Sequence, residues 1–191
     1  MALNLGTNFS PYIIDIYNTT SLANRLDILD DYISVDTLKN LEPKLLQVKP
    51  WYFGCDTPWE DPNRKITLAH VIHRERFSPV EKYFIKELGK NFNTNNIGRC
   101  YYNCFRKCDD PGFHTDPGGF TYMFYLNYEW DESWGGHTEF KSVESEVPQT
   151  VEPKPGRLVI FDSRWIHRGT EPSSLMPDRI PGRMSIAFQE Q

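Results

Sequence analysis

The sequence is poor in cysteine, in excess positive charge and in long apolar runs, and each shortage closes off a class of protein. Its four cysteines, Cys55, Cys100, Cys104 and Cys108, do not suggest a disulfide scaffold, since 191 residues can bury a core of their own. No apolar run approaches the roughly 18 residues needed to cross a bilayer. Met1–Ser10 has neither the basic start nor the apolar centre of a secretory leader. The expectation is a soluble, cytoplasmic protein with no membrane partner. Acidic side chains (26) outnumber basic ones (21), for a formal charge of −5, so a broad nucleic-acid grip is disfavoured. One buried arginine can still bind a small carboxylate ligand in a net-acidic protein. Repeats and low-complexity tracts are absent.

What is present is an ordinary globular balance, 39% hydrophobic with 14% aromatic residues, which reads as one domain over residues 1–191. Residues 1–95 read as helical and irregular support. Leu22, Leu26 and Leu29 predict a helix over Asn18–Ser34, and a strand is expected at Leu45–Phe53 ahead of the proline-rich segment Asp56–Asn63. A clearer helix starts at Ser78, with Pro79 at its first position and Glu81 at capping-box spacing. Val80, Phe84, Ile85 and Leu88 give this helix a buried side, and it ends near Gly89–Asn93.

Beyond Asn96 the pattern changes to short strands between turn formers: Ile97–Cys104, Phe113–Asp116, Phe120–Asn127, Thr138–Val143, Arg157–Asp162 and Met184–Gln189. Lys154-Pro155-Gly156-Arg157 is a type II turn signal, because proline presets the second position and glycine accepts positive φ at the third. Residues 96–191 therefore predict a β core, an antiparallel barrel or double-sheet roll rather than a βαβ fold. Cys100, Cys104 and Cys108 raise a structural-zinc reading, but their four-residue spacing is helical and their surroundings are strand-like.

Two histidines and an aspartate carry the chemistry. His114 and Asp116, two apart on a strand, project to the same side. His167 follows the apolar strand Leu158–Phe161, and a double-sheet roll could bring it across from them. Two imidazoles and one carboxylate suit non-haem Fe(II), leaving the opposite coordination face open; the donors also permit Mn(II), Co(II), Ni(II) or Zn(II). Taken alone, His114-Thr115-Asp116 reads as readily as a hydrogen-bonded pair at a strand end.

The wider context is an ordered set: His114-Thr115-Asp116, Phe124-Tyr125-Leu126-Asn127, Trp134-Gly135-Gly136-His137-Thr138-Glu139-Phe140, residues 154–163, His167-Arg168-Gly169, and Arg183-Met184-Ser185-Ile186-Ala187-Phe188. Over residues 96–190 this set resembles the 2-oxoglutarate-dependent Fe(II) dioxygenase superfamily, especially its prolyl-hydroxylase-like branch. The resemblance implies a mainly β fold with flanking helices, a double-stranded β-helix (jelly roll, cupin-like). It implies Fe(II) held by His114, Asp116 and His167 as catalytic metal ligands. It further implies 2-oxoglutarate held by Arg183 and Ser185, with Tyr102 and Tyr125 completing its pocket. Molecular oxygen is the other cosubstrate, and the implied outcome is hydroxylation.

The substrate it implies is a peptide, protein or small molecule, with peptidyl proline the first candidate and nucleic acid disfavoured. Arg179 competes with Arg183, which lies 16 positions after His167 across the insertion Glu171–Gly182. Arg168 is expected to meet substrate or an acidic neighbour. Tyr101 beside Tyr102 leaves the strand register open, and His137 stands where many related sequences have glutamate. Two other readings are a nonenzymatic jelly-roll binding or assembly module with a relic metal site, and a hydrolytic or structural zinc protein. Fe(II)-dependent binding of 2-oxoglutarate separates the oxygenase from both.

Overall fold

The computed structural model describes residues 25–45, 52–54, 67–107, 109, 111–141 and 147–191. Among these residues ten strands follow in chain order: β1 (Leu26–Leu29), β2 (Tyr52–Gly54), β3 (Thr67–His73), β4 (Ile97–Phe105), β5 (Phe120–Tyr125), β6 (Thr138–Phe140), β7 (Gln149–Val151), β8 (Leu158–Asp162), β9 (His167–Gly169) and β10 (Arg183–Glu190). Two helices, α1 (Val35–Leu45) and α2 (Pro79–Leu88), lie among them. A seven-stranded sheet runs β1-β8-β5-β10-β4-β3-β2 and a smaller one runs β7-β6-β9, with every pairing antiparallel. This is the jelly-roll class that the resemblance implies, and of the two architectures the strand pattern allowed it is the double-sheet roll.

Strand alternation gives the large sheet two working faces. Cys100, Tyr102 and Cys104 of β4 join Tyr122, Phe124, Leu158, Ile160, Ile186 and Phe188 in a core against Leu38, Leu45, Phe84 and Leu88 of the helices. The intervening residues of β5, β8 and β10, among them Met123, Tyr125, Val159, Phe161 and Ala187, turn the other way and meet Phe140 and Val151 of the small sheet. The helices thus brace one face and leave the other to enclose chemistry. Phe84, fully buried with its ring centroid 5.0 Å from that of Phe124, is worth roughly 2–3 kcal/mol by burial alone.

Local signals are realised where short-range chemistry sets them. Ser78 Oγ accepts from the Val80 amide at 3.2 Å, and Glu81 Oε2 accepts from the Ser78 amide at 2.6 Å, closing the capping box. In the Lys154–Arg157 turn the Arg157 amide donates to the Lys154 carbonyl at 3.1 Å, and Gly156 has φ +71°.

Elsewhere long-range packing overrides the period. The part of the expected Asn18–Ser34 helix within the described residues is instead β1 and a turn, with Leu26 opposite Phe161 and Leu29 opposite Leu158. A helix would stack those leucines on one stripe; the strand sends them to opposite sheet faces. Asp31 (φ +54°) ends any helical path, while Asp30 takes two hydrogen bonds from Arg157, at 2.5 and 3.0 Å. Leu45, expected to open a strand, closes α1, whose proline at position 43 obscures its period. Positions 46–51 of that expected strand lie outside the described residues. Phe113–Asp116, flanked by Pro111 and Pro117, shrinks to a single bridge between His114 and His167.

A Cβ on Gly156 would stand 1.8 Å from the Ile33 carbonyl oxygen as well as at positive φ. Gly156→Ala is expected to cost about 2–3 kcal/mol, combining left-handed strain with displacement of the Ile33 segment. Thermal denaturation checks this as a midpoint lowered by roughly 4–12 °C.

Candidate functional site

The site begins with two backbone hydrogen bonds. The His114 and His167 amides each donate to the other's carbonyl at 2.9 Å, so the segment after β4 is locked across β9 with the two rings 4.6 Å apart. Asp116 is held one step further along, its amide donating to the Ser163 carbonyl at 2.8 Å. The ligand atoms of His114, Asp116 and His167 all lie within 4.8 Å of one another, and His167 Nε2 is 3.7 Å from Asp116 Oδ2. They are the one His/Cys/Asp/Glu group among the described residues able to share a metal ion.

The rings are also oriented for it. His114 Nδ1 lies 3.0 Å from the Gly112 carbonyl and His167 Nδ1 lies 2.7 Å from that of Trp165. A carbonyl only accepts, so each Nδ1 carries the proton and each Nε2 keeps a lone pair for a cation. Phe161 and Phe140 flank the His167 ring at centroid distances of 4.7 and 6.0 Å and hold its rotamer. Two neutral imidazoles and a carboxylate make a donor set that fits Fe(II).

Beside them is a buried cation. Arg183, Ser185, Ala187 and Gln189 share the inner face of β10. The Arg183 side chain is 1% exposed, donates from Nη1 to Ser185 Oγ at 3.1 Å, and leaves Nε without a hydrogen-bond partner. No carboxylate among the described residues pairs with it. The guanidinium is sandwiched against Phe105 at 4.3 Å and Tyr125 at 5.5 Å, contacts worth about 1–2 kcal/mol when desolvated. They do not replace a counter-ion, and burial pushes the Arg183 pKa down. Gly169, two residues beyond His167, makes room: a Cβ there would fall 2.2 Å from Arg183 Nη2 and 2.1 Å from the Phe105 ring. A small carboxylate is the natural complement to this cradle.

Other expected residues separate cleanly. Arg179 is exposed and bound through both terminal nitrogens to Glu129, at 2.8 and 3.2 Å, so it does not reach this cradle. Arg168 meets an acidic neighbour, donating to Glu139 at 2.8 Å. Tyr125 reaches the inner face, its hydroxyl engaged by Thr138 Oγ1 at 2.7 Å and the Val151 carbonyl at 3.2 Å.

The expectation for Tyr102 is corrected. It lies on the opposite face, fully buried, and donates to Glu81 of α2. Its neighbour Tyr101 faces the site and donates to Asp116 Oδ2 at 2.7 Å. Both tyrosines suit a strand, and parity became readable only when Cys100 and Cys104 took the helix-facing side. Those two cysteines are buried there as free thiols, Cys104 pushed up to about 11 by desolvation, and Cys108 lies outside the described residues. His137, His70 and His73 are not part of the metal-capable group.

An antiparallel jelly roll carrying a His-x-Asp pair and a histidine across from it is an architecture able to hold a metal ion. Over residues 100–188 the chain matches the 2OG-Fe(II) oxygenase superfamily model. It is a 2-oxoglutarate-dependent Fe(II) dioxygenase, with Fe(II), 2-oxoglutarate and O2 as the family's cofactor and cosubstrates. In fold it is similar to a Pseudomonas putida prolyl-4-hydroxylase (TM-score 0.62, 14% identity, 94% of this chain and 97% of that one). It is similar too to a Trichoplax adhaerens prolyl hydroxylase in complex with a hypoxia inducible factor oxygen degradation domain peptide fragment (0.63, 17%, 86% and 83%). A Burkholderia pseudomallei oxidoreductase of the 2OG-Fe(II) oxygenase family shares the fold (0.59, 15%, 85% and 83%). No curated protein matches the sequence. No helix among the described residues is long and apolar enough to cross a membrane.

Asp116→Ala should weaken Mn(II) binding by more than the roughly 10–100-fold typical of losing an outer-sphere partner. Isothermal titration of the anaerobic protein measures this, with an unchanged thermal midpoint as the control for folding.

Proposed function

We propose that His114, Asp116 and His167 hold the Fe(II), that Arg183 with Ser185 binds the distal carboxylate of 2-oxoglutarate, and that the enzyme hydroxylates a peptidyl proline. The observation that carries the cosubstrate assignment is the buried Arg183 guanidinium, lacking a carboxylate partner among the described residues and lying beside the strand that bears His167. A diacid would neutralise that cation at one end while its keto-acid end faces the triad. Ser185 aims the guanidinium by accepting from Nη1, and the Phe105 and Tyr125 rings exclude water from the pair. The Tyr125 ring lies against the same guanidinium.

Iron with 2-oxoglutarate supplies the oxidative chemistry: the keto acid is oxidised to succinate and carbon dioxide, one oxygen atom of O2 enters succinate and the other becomes the new hydroxyl. The protein's share is positional. The two histidines present lone pairs fixed by Nδ1 hydrogen bonds to backbone, Asp116 adds the anionic donor, and three donors on one side leave the remaining positions to reactants. Peptide as the substrate class draws support from fold likeness to the prolyl hydroxylase solved with a peptide fragment.

Arg183→Ala should leave Mn(II) affinity within about twofold and weaken 2-oxoglutarate binding by roughly 100-fold, the loss of a charge-assisted pair of about 2–3 kcal/mol. Arg179→Ala should change neither. Gly169→Ala, which displaces the guanidinium without removing it, should raise the 2-oxoglutarate Kd by about tenfold or more. The reverse ranking of the two arginine variants would reassign the cosubstrate site. For the substrate, proline-containing peptides incubated with Fe(II), 2-oxoglutarate and O2 should gain one oxygen atom by mass spectrometry. Cosubstrate turnover with no peptide modified would move the substrate to another class.

A further inference from the structure

A hydrogen-bond chain runs across the inner face of the large sheet and ends on Asp116. Arg99 and Gln189 are direct partners across β4 and β10, and Arg99 Nε donates to Gln189 Oε1 at 2.7 Å. That bond fixes the amide, because a guanidinium can meet only its oxygen. Gln189 Nε2 is thereby turned toward Tyr101, whose hydroxyl oxygen it reaches in a longer contact of 3.5 Å. With that oxygen facing a donor, the Tyr101 hydroxyl spends its own proton on Asp116 Oδ2 at 2.7 Å. Every donor therefore points one way, from cation through amide and phenol to carboxylate. Gln189 is 1% exposed and Asp116 7% exposed, so water does not compete at the inner end.

We propose that Tyr101, aligned by Gln189 and Arg99, is the positioning residue that presents the Asp116 carboxylate to the metal. This rests on the reading of Asp116 as a ligand. A carboxylate on a single torsion can swing between one-oxygen and two-oxygen contact with an ion. Tying Oδ2 to a phenol on a neighbouring strand removes that freedom before metal arrives, and a chain polarised by Arg99 draws electron density from the same oxygen. Position 101 is also suited to the task by register. Its cross-strand partner on β10 is Ala187, the smallest side chain among the residues alternating with Arg183, Ser185 and Gln189, leaving room for the tyrosine to cross the sheet face.

The test uses the full chain, anaerobic, with Co(II) as the probe, reading affinity by titration and ligand field by visible absorption. Tyr101→Phe keeps the ring and deletes the donor; its Co(II) Kd should rise about tenfold and its d–d bands should shift. Gln189→Met, which keeps the side-chain length, should move both readouts in the same direction by a smaller amount, about threefold in Kd. Circular dichroism and thermal midpoints confirm folding, and Gln189→Met serves alone if Tyr101→Phe does not fold. Asp116→Ala is the reference: if it binds Co(II) as tightly as the unaltered protein, the ligand assignment itself falls. If Asp116→Ala loses the metal while a folded Tyr101→Phe, or Gln189→Met in its place, keeps both the affinity and the spectrum, the positioning role alone is overturned.

Discussion

Everything chemical in this protein depends on the pair of backbone hydrogen bonds between His114 and His167. They join a short segment flanked by prolines to a three-residue strand, and neither piece has much structure of its own. Once joined, both imidazoles project from one bridge, and Asp116, two residues from His114, shares their side. Side-chain hydrogen bonds to backbone carbonyls then set both tautomers. A donor set for a redox metal thus comes from main-chain geometry first and from side-chain contacts second.

The large sheet supplies the other half of the design by giving its two faces opposite tasks. Toward the helices it presents apolar side chains and two inert thiols. Toward the small sheet it presents Arg183, Ser185, Tyr101 and Gln189 among Tyr125, Met123 and Phe161. A buried unpaired guanidinium costs stability, and here it is tolerated against aromatic faces beside the metal-capable residues. That placement fits the proposed role of Arg183, in which an incoming dianion would neutralise the cation. The same face carries the polar chain ending on Asp116, so that chain and Arg183 share strands β4 and β10.

Much of this was legible along the chain where the governing contacts are short. The Ser78–Glu81 capping box and the turn at Gly156 are settled by atoms a few residues apart, so reading them required no fold. The His114/Asp116 spacing behaves similarly, and the ordered motifs through Ser185 supplied the third histidine and the arginine. The leucines at 26 and 29 misled because their spacing suits a helix equally well, and the pairing of β1 with β8 outweighed it. Proline at 43 hid a real helix whose Leu38 and Leu45 are nonetheless fully buried.

Residue types and short separations were enough to mark the His114/Asp116 pair and the strand-rich half, since alternation and capping act over one to four residues, while the ordered motif set pointed to His167 and the R-x-S pattern. That Tyr101 rather than Tyr102 faces the triad, and that Arg179 stays at the surface while Arg183 is buried, needed the folded sheet. Adjacent tyrosines are chemically alike until one strand face acquires a helix and the other the metal-capable residues. Two nearby arginines differ only when one finds Glu129 at the surface and the other is sealed beneath Phe105. Such distinctions arise from partners up to some 90 positions away, and no local pattern encodes which partner will arrive.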